Sequence, residues 1–216
     1  MSKERIARRA ALMFKSGYTI NLGAGLPLKA NQYIPEGVNV ILQAENGILG
    51  SAALPAGQEG KPYEVDAGGF PICIQPSGSI LDSATAFGMI RGGHLDMSVL
   101  GAMQVDAEGS LANWLVPGGK LAGMGGAMDL IVGAKQVVIT TEHCSRDGSP
   151  KLVAKCSFPL TGYQLVDWVI TELGVFRPAG DHFVIIEIAA GVTLEEVQAK
   201  TGAPVVADEN LCEMKQ

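Results

Sequence analysis

Val38-Asn39-Val40-Ile41-Leu42-Gln43-Ala44-Glu45-Asn46-Gly47-Ile48-Leu49-Gly50 is the stretch on which the fold and the chemistry of this chain turn. Its first five residues form an alternating, largely apolar run that predicts a buried strand. The strand then meets a carboxylate, an amide and a glycine. A Glu at the end of an apolar strand loses water, so it needs either partners or a function. Asn46 and Gly47 allow a tight, unusual turn that would push the Glu45 side chain toward a cleft. The competing local interpretation is a strand-to-loop turn whose Glu45 faces solvent.

Upstream, Ile6, Ala10, Met13 and Phe14 share one helical face, Lys3, Arg5, Arg8 and Arg9 fall mostly elsewhere, and Gly17 is a C-terminal stop. An Arg-rich amphipathic start also suits an organelle transit peptide, but Glu4 and the direct run into a strand favour a folded first helix. Tyr18-Thr19-Ile20-Asn21-Leu22 is the next strand, and it feeds Gly23-Ala24-Gly25-Leu26-Pro27. That loop starts like the dinucleotide fingerprint G-x-G-x-x-G, but its sixth position is Leu28, so a nicotinamide or flavin site is poorly supported. A glycine loop between strand and helix still lines a cleft at the carboxyl end of a sheet, and the Glu45 turn is expected to open on the same edge.

Downstream, residues 51–78 are rich in Gly, Pro and Ala and predict irregular excursions with a short strand near Ile72-Cys73-Ile74. Ser79 to Met89 predicts a helix, and Ser98-Val99-Leu100-Gly101 a buried strand. Gly123-Met124-Gly125-Gly126-Ala127-Met128-Asp129 precedes an apolar run, so its backbone amides either bind an oxyanion or simply pack. Val137 to Thr141 predicts a central strand running into Glu142-His143-Cys144. Neighbours on a strand point to opposite faces, so His143 and Cys144 are not expected to meet. His94, His143 and His182 have no metal-ligand spacing, and no metal site is expected. Thr161-Gly162-Tyr163-Gln164 reads as a capping box opening a helix through Leu165, Val166, Val169 and Ile170. Phe183 to Ile188 is a strand, Thr193 caps a last short helix, and the polar tail from about residue 208 is expected to fray.

Strands and helices alternate throughout. The expected fold is α/β, an open, largely parallel sheet with helices on both faces, in a single domain over 1–216. With 47% hydrophobic and 18% charged residues the chain can bury a sizeable core. A net charge of −6 without a basic run argues against nucleic acid as the partner. The four cysteines are scattered, with no C-x-x-C pair, and read as reduced thiols in a cytoplasmic protein. No apolar run approaches the ~18 residues needed to span a bilayer, so no membrane partner is expected.

Three stretches together resemble the beta subunit of the class I coenzyme A transferases acting on short-chain 3-oxo acids and acetate: Asn21 to Pro27, Gln43 to Gly47, and Gly123 to Leu130. Ala112-Asn113-Trp114 and Glu142-His143-Cys144 are similar to that family as well, and the likeness runs from the first helix to about residue 188. The family block reads Ser-Glu-Asn-Gly; here Ala44 replaces the Ser, which touches substrate tuning more than chemistry. The resemblance implies that Glu45 is a nucleophile attacking an acyl-CoA thioester and carrying CoA as a glutamyl thioester in ping-pong transfer. It implies Gly126, with Gly125, as oxyanion donor, worth ~3–4 kcal/mol for one donor in known cases. It further implies Asn46 as a residue orienting Glu45, and Gly23, Gly25 and Gly47 as substrate-binding positions. Coenzyme A is then a substrate, with no tightly bound cofactor. The partner implied is a separate alpha subunit, two of each chain per molecule, so that this chain alone is inactive.

Two other interpretations stay open on sequence alone. One is a transferase for succinyl-CoA and 3-oxoadipate. The other, of a different class, is a ligand sensor or sugar-phosphate isomerase-like domain, since fold does not fix function. That class needs cations for phosphate near the loops, for which Arg91, Lys120 and Lys135 are the candidates.

Overall fold

The computed structural model describes residues 2–55, 57–118 and 123–216. It opens with α1 (Ser2–Ala11), β1 (Thr19–Leu22) and a 3-10 helix (Pro27–Tyr33). The hairpin of β2 (Ile41–Ala44) and β3 (Ile48–Ala53) follows, then β4 (Ile72–Ile80), α2 (Ser83–Arg91) and β5 (Met97–Leu100). Next come β6 (Gln104–Asp106), β7 (Leu111–Ala112), α3 (Ala127–Gly133), β8 (Val137–Thr140) and β9 (Leu152–Val153). The last third holds β10 (Trp168–Ile170), β11 (Gly174–Pro178), β12 (Phe183–Ile188), α4 (Leu194–Lys200) and β13 (Val205–Glu213).

Among the described residues one sheet has the order β13-β12-β11-β10-β8-β5-β1-β2-β3-β4. Its centre, β10-β8-β5-β1-β2, is parallel throughout. Antiparallel pairs flank it, β2–β3–β4 on one side and β10–β11–β12 on the other, with β13 parallel to β12. Alternate side chains of the central strands enter two separate cores. Ile20, Leu42, Val99, Val138, Ile170 and Val175 pack with Ile6, Ala10 and Phe14, beneath α1. Leu100, Val137, Ile139, Val169 and Phe176 pack with Ile90, Leu130, Ile131 and Val197 from α2, α3 and α4. Helices therefore cover both faces, as the continuous apolar runs of the central strands require.

Several expected boundaries shift. The first helix ends at Ala11, so Met13 and Phe14 lie beyond it, although Phe14 still reaches the core. The strand expected at 38–42 begins at Ile41 and runs to Ala44. The segment expected to be irregular carries the long strand β4, which takes Ser79 and Ile80 from the predicted helix. That helix starts instead at Ser83, capped by Asp82, whose carboxylate accepts from Thr85 N at 2.9 Å.

Two expectations fail outright. No helix opens at Thr161: its hydroxyl donates to Asn113 Oδ1 at 2.6 Å, Gln164 sits at φ 56°, and β10 joins the sheet. Gly162 also lies so close to Ile131 that an added Cβ would be 2.7 Å from its Cδ1. The tail does not fray: residues 205–213 are β13, and Met214 is buried in the core under α1. A ladder needs backbone amides rather than apolar side chains, so a polar edge strand escapes a pattern-based reading.

Candidate active site

The β2–β3 hairpin pairs Gln43 with Leu49 and Ala44 with Ile48, leaving Glu45-Asn46-Gly47 as the turn. Gly47 has φ 111°, donates to Ala44 O at 3.0 Å and accepts from Leu81 N at 2.7 Å. A Cβ there would sit 2.1 Å from Leu81 O, so only glycine lets the turn dock on the start of α2. The docked turn fixes the direction of Glu45, which is half-buried.

Asn21, in the middle of β1, donates from Nδ2 to Glu45 Oε2 at 3.1 Å. The other carboxylate oxygen faces Gly126: a Cβ built on Gly126 would lie 3.4 Å from Glu45 Cγ and Oε1 and 3.3 Å from Phe87 Cζ. Gly126 is the residue before α3, where first-turn amides have no carbonyl partner within the helix and favour negative charge. Two of the expected residues, Glu45 and Gly126, are thus brought together from positions 81 residues apart (126 − 45). Gly125 precedes Gly126 at φ 56°, with no atom of the described residues within 4 Å of where a Cβ would sit.

The remaining expected positions are placed differently. Asn46 points away, donating from Nδ2 to Val65 O at 2.8 Å, so it ties the turn to the 54–71 excursion while Asn21 contacts Glu45. Gly23 donates to Val99 O at 2.8 Å and packs on the end of β5. Gly25, at φ 85°, lines a cavity of about 600 Å³ with Leu26, Leu28, Lys29, Phe70 and Ile72. Glu45 is not among the residues lining that cavity. Ala44, the departure from the family block, packs its methyl with Ile48 and Ile72. Asn21 belongs to the Asn21 to Pro27 stretch, and its signal in the sequence is a polar side chain between Ile20 and Leu22 in a buried strand.

The triplet after β8 is structural. His143 is fully buried, its ring 5.4 Å from that of Phe176. Thr201 Oγ1 donates to Val197 O at 2.7 Å and therefore accepts from His143 Nε2–H at 2.9 Å. His143 Nδ1 then accepts from Thr171 Oγ1 at 3.0 Å. Burial, with the nearby Lys200 charge, lowers its pKa to about 4, so the ring is neutral near pH 7. Cys144 turns instead to Lys200 O, 3.7 Å away, and burial beside Glu172 raises its thiol pKa. Arg91 and Lys135 are paired with Asp129 and Asp96 at 2.7 and 2.8 Å, while Lys120 lies outside the described residues. Among the described residues no group of three or more His, Cys, Asp or Glu is placed to hold a metal ion. No helix among them is long and apolar enough to cross a membrane.

With this geometry in view, the relatives are informative. A family model described as coenzyme A transferase matches residues 3–200. The chain is 47% identical over 211 residues to the acetate CoA-transferase subunit beta of Escherichia coli (strain K12), covering 97% of this chain and 96% of that one. It is 45% identical over 216 residues to succinyl-CoA:3-ketoacid coenzyme A transferase 2A, mitochondrial, of Rattus norvegicus, covering 99% of this chain but 42% of that one. The crystal structure of an acyl-CoA transferase apoenzyme from Escherichia coli O157:H7 superposes with a TM-score of 0.81 at 23% identity, covering 100% of this chain and 43% of that one. This chain spans less than half the length of the last two proteins. The chain belongs to the coenzyme A transferase family. Its chemistry is CoA transfer.

Proposed function

We propose that this chain exchanges CoA between short-chain acyl-CoA and free carboxylic acids of the acetoacetate, acetate or butyrate type, through a glutamyl-CoA thioester on Glu45. The observation that carries this is the asymmetric setting of the Glu45 carboxylate, with Oε2 held by Asn21 and Oε1 turned toward the Gly126 backbone. Oε1 attacks the thioester carbonyl, the C–S bond breaks, and CoA leaves as a thiolate with a mixed anhydride left on Glu45. The thiolate then attacks the glutamyl carbonyl. The anhydride C–O bond breaks, the first acid departs as its carboxylate, and CoA is now bonded to Glu45. A second carboxylate reverses both steps and leaves as the new acyl-CoA. Charge develops twice on carbonyl oxygens. The Gly126 end of α3, with Gly125, is suited to the substrate oxyanion, and Asn21 Nδ2 to the glutamyl one, because Oε2 is the oxygen that stays behind.

Coenzyme A is here a substrate, and no other cofactor enters the scheme. The relatives named as subunit beta support an alpha-type partner chain, as does the rat relative's greater length, and we take the assembly to be two of each chain. The sheet running unbroken from β4 to β13 supports treating 1–216 as one domain, and the bacterial relative supports a cytoplasmic setting. We take Gly23, Gly25 and Gly47 to serve the substrate side indirectly, Gly25 by lining the cavity and Gly23 and Gly47 by shaping the loop after β1 and the Glu45 turn. The rat relative's name favours succinyl-CoA as a second donor class.

The test is intact-protein mass after acetoacetyl-CoA is added to this chain assembled with its alpha-type partner, before any second acid. A single CoA-sized adduct on this chain, absent in Glu45→Gln, is expected. An adduct that persists in Glu45→Gln would place the nucleophile elsewhere. The chain without its partner is expected to show no turnover.

A further inference from the structure

The register of the central strands places Asn21 between Gln43 on β2 and Ser98 on β5, on the sheet face covered by α2. Their exposures are 1%, 3% and 0%, so three polar side chains sit side by side where neighbouring positions on that face carry Val137, Ile139 and Val169. Burying such groups is unfavourable unless their hydrogen bonds are arranged. Asn21 Oδ1 and Ser98 Oγ have no hydrogen-bond partner among the described residues. Packing gives no reason for the row, but direction does.

Each contact in the row admits one orientation. Ala86 O, on α2, can only accept, so Gln43 must present Nε2 to it, at 3.4 Å. Gln43 Oε1 is thereby turned to Asn21, and it too can only accept. Asn21 must therefore present Nδ2, which lies 2.8 Å from Gln43 Oε1 and 3.1 Å from Gln43 O. Its remaining N–H capacity goes to Glu45 Oε2. Reversing the Asn21 amide would set its oxygen against three acceptors, Gln43 Oε1, Gln43 O and the Glu45 carboxylate.

We infer that Gln43 is a positioning residue that reads the α2 backbone, fixes the amide of Asn21, and so holds a donor on the retained oxygen of Glu45 through the reaction. This rests on Glu45 being the nucleophile. Gln43 is 3% exposed, and its side chain reaches Glu45 through Asn21. A preset donor need not reorient while charge builds on the glutamyl oxygen, which is where such a donor gains most.

The variants Gln43→Leu and Gln43→Glu, in the assembled enzyme, separate this role from a structural one. Gln43→Leu removes the orienting group at similar size, and kcat should fall about ten- to hundredfold with KM within about twofold, as for loss of a hydrogen bond to a charged group. In an Asn21→Ala background the same change should cost little more, because the two act in series. Gln43→Glu can imitate glutamine only when protonated, its O–H donating to Ala86 O and its carbonyl accepting from Asn21. Among the described residues, Glu45 and Asp66, which lines a small internal cavity with Gln43, are the acidic groups beside position 43, and both oppose a second charge there. The ratio of Gln43→Glu to unmodified activity should therefore rise as pH falls. Additive losses with Asn21→Ala, a flat ratio across pH, or an unchanged kcat in Gln43→Leu would each overturn the inference. The glutamyl adduct is followed by mass in every variant. Adduct formation that no longer depends on Glu45 refutes the underlying nucleophile, whereas adduct formation at the normal rate in Gln43→Leu refutes the positioning role alone.

Discussion

Two strands of one sheet, β2 and β8, each leave the core into a polar triplet, and the triplets end in opposite states. Beyond β8, His143 has both ring nitrogens bonded to hydroxyls, its backbone N–H donates to Glu172 Oε2 at 3.0 Å, and its ring rests on Phe176. Beyond β2, Glu45 is anchored among the described residues through Oε2, while Oε1 faces a residue with no side chain. Buried polar groups are normally saturated by the protein, and a saturated group is part of the scaffold. A carboxylate held at one oxygen and presented at the other is arranged to react. Residue types alone would have ranked the two the other way, since a His beside a Cys suggests catalysis more readily than a lone Glu.

The largest effect that tests this contrast is Glu45→Gln. Turnover should fall on the order of a thousandfold or more, because an amide cannot form the anhydride. Melting temperature should hardly move, since the Asn21 contact can be kept by the amide oxygen. Steady-state transfer assays and a thermal melt on the same preparation decide it; turnover near the original rate would end the comparison.

Gly126→Ala comes next. Its φ of −77° suits alanine, so the fold should tolerate the change. The new methyl would crowd Phe87 Cζ at 3.3 Å and fill the space facing the nucleophile, in van der Waals contact with Glu45 Cγ and Oε1 at 3.4 Å. A methyl in the path to Oε1 misplaces the substrate carbonyl, which should reduce kcat by up to about a hundredfold. Unchanged kcat with unchanged stability would show that the Oε1 side is not where acyl transfer happens.

The opposite region should respond in stability and not in chemistry. His143 has a folded pKa of about 4, against about 6.5 when unfolded, so below pH 6.5 the unfolded chain binds a proton that the folded chain refuses. The contribution is complete above about pH 6.5 and is lost progressively as pH falls to about 4, for roughly 3 kcal/mol in all. Urea midpoints between pH 7.5 and 4.5 should show this loss in the native chain, and His143→Gln should flatten it. The variant should still form the glutamyl adduct at pH 7.5. A defect in adduct formation without loss of stability would reverse the roles of the two triplets.

How far the sequence reveals this arrangement depends on the range over which each feature is set. The Glu45 turn and the glycines before α3 are local patterns that also carry a family resemblance, and both are legible. Asn46 beside Glu45 in sequence was the obvious candidate to orient it, yet Asn21 does so, because β1–β2 register and not adjacency decides which amide arrives. The capping box at Thr161 is a valid local signal, but its hydroxyl is taken by Asn113, 48 residues away in sequence. β13 is invisible to hydrophobic periodicity because its ladder with β12 is made by backbone. Local chemistry is read from the chain, whereas pairing between distant strands is read only from the fold.

The smallest expected effect belongs to Cys144, the remaining reactive group in the β8 triplet. Burial and the Glu172 charge raise its pKa, so near pH 7 it is a thiol, and the thiolate is the nucleophilic form. Its Sγ contact with Lys200 O is a weak hydrogen bond that a serine hydroxyl can replace. Cys144→Ser should therefore change kcat less than about twofold and stability by less than about 0.5 kcal/mol. Iodoacetamide should label Cys144 more slowly than the exposed Cys212, as mapped by peptide mass. Fast labelling of Cys144, with loss of CoA transfer in step with it, would mean that this triplet also presents an unsaturated group, and saturation would then fail to separate scaffold from site in this sheet.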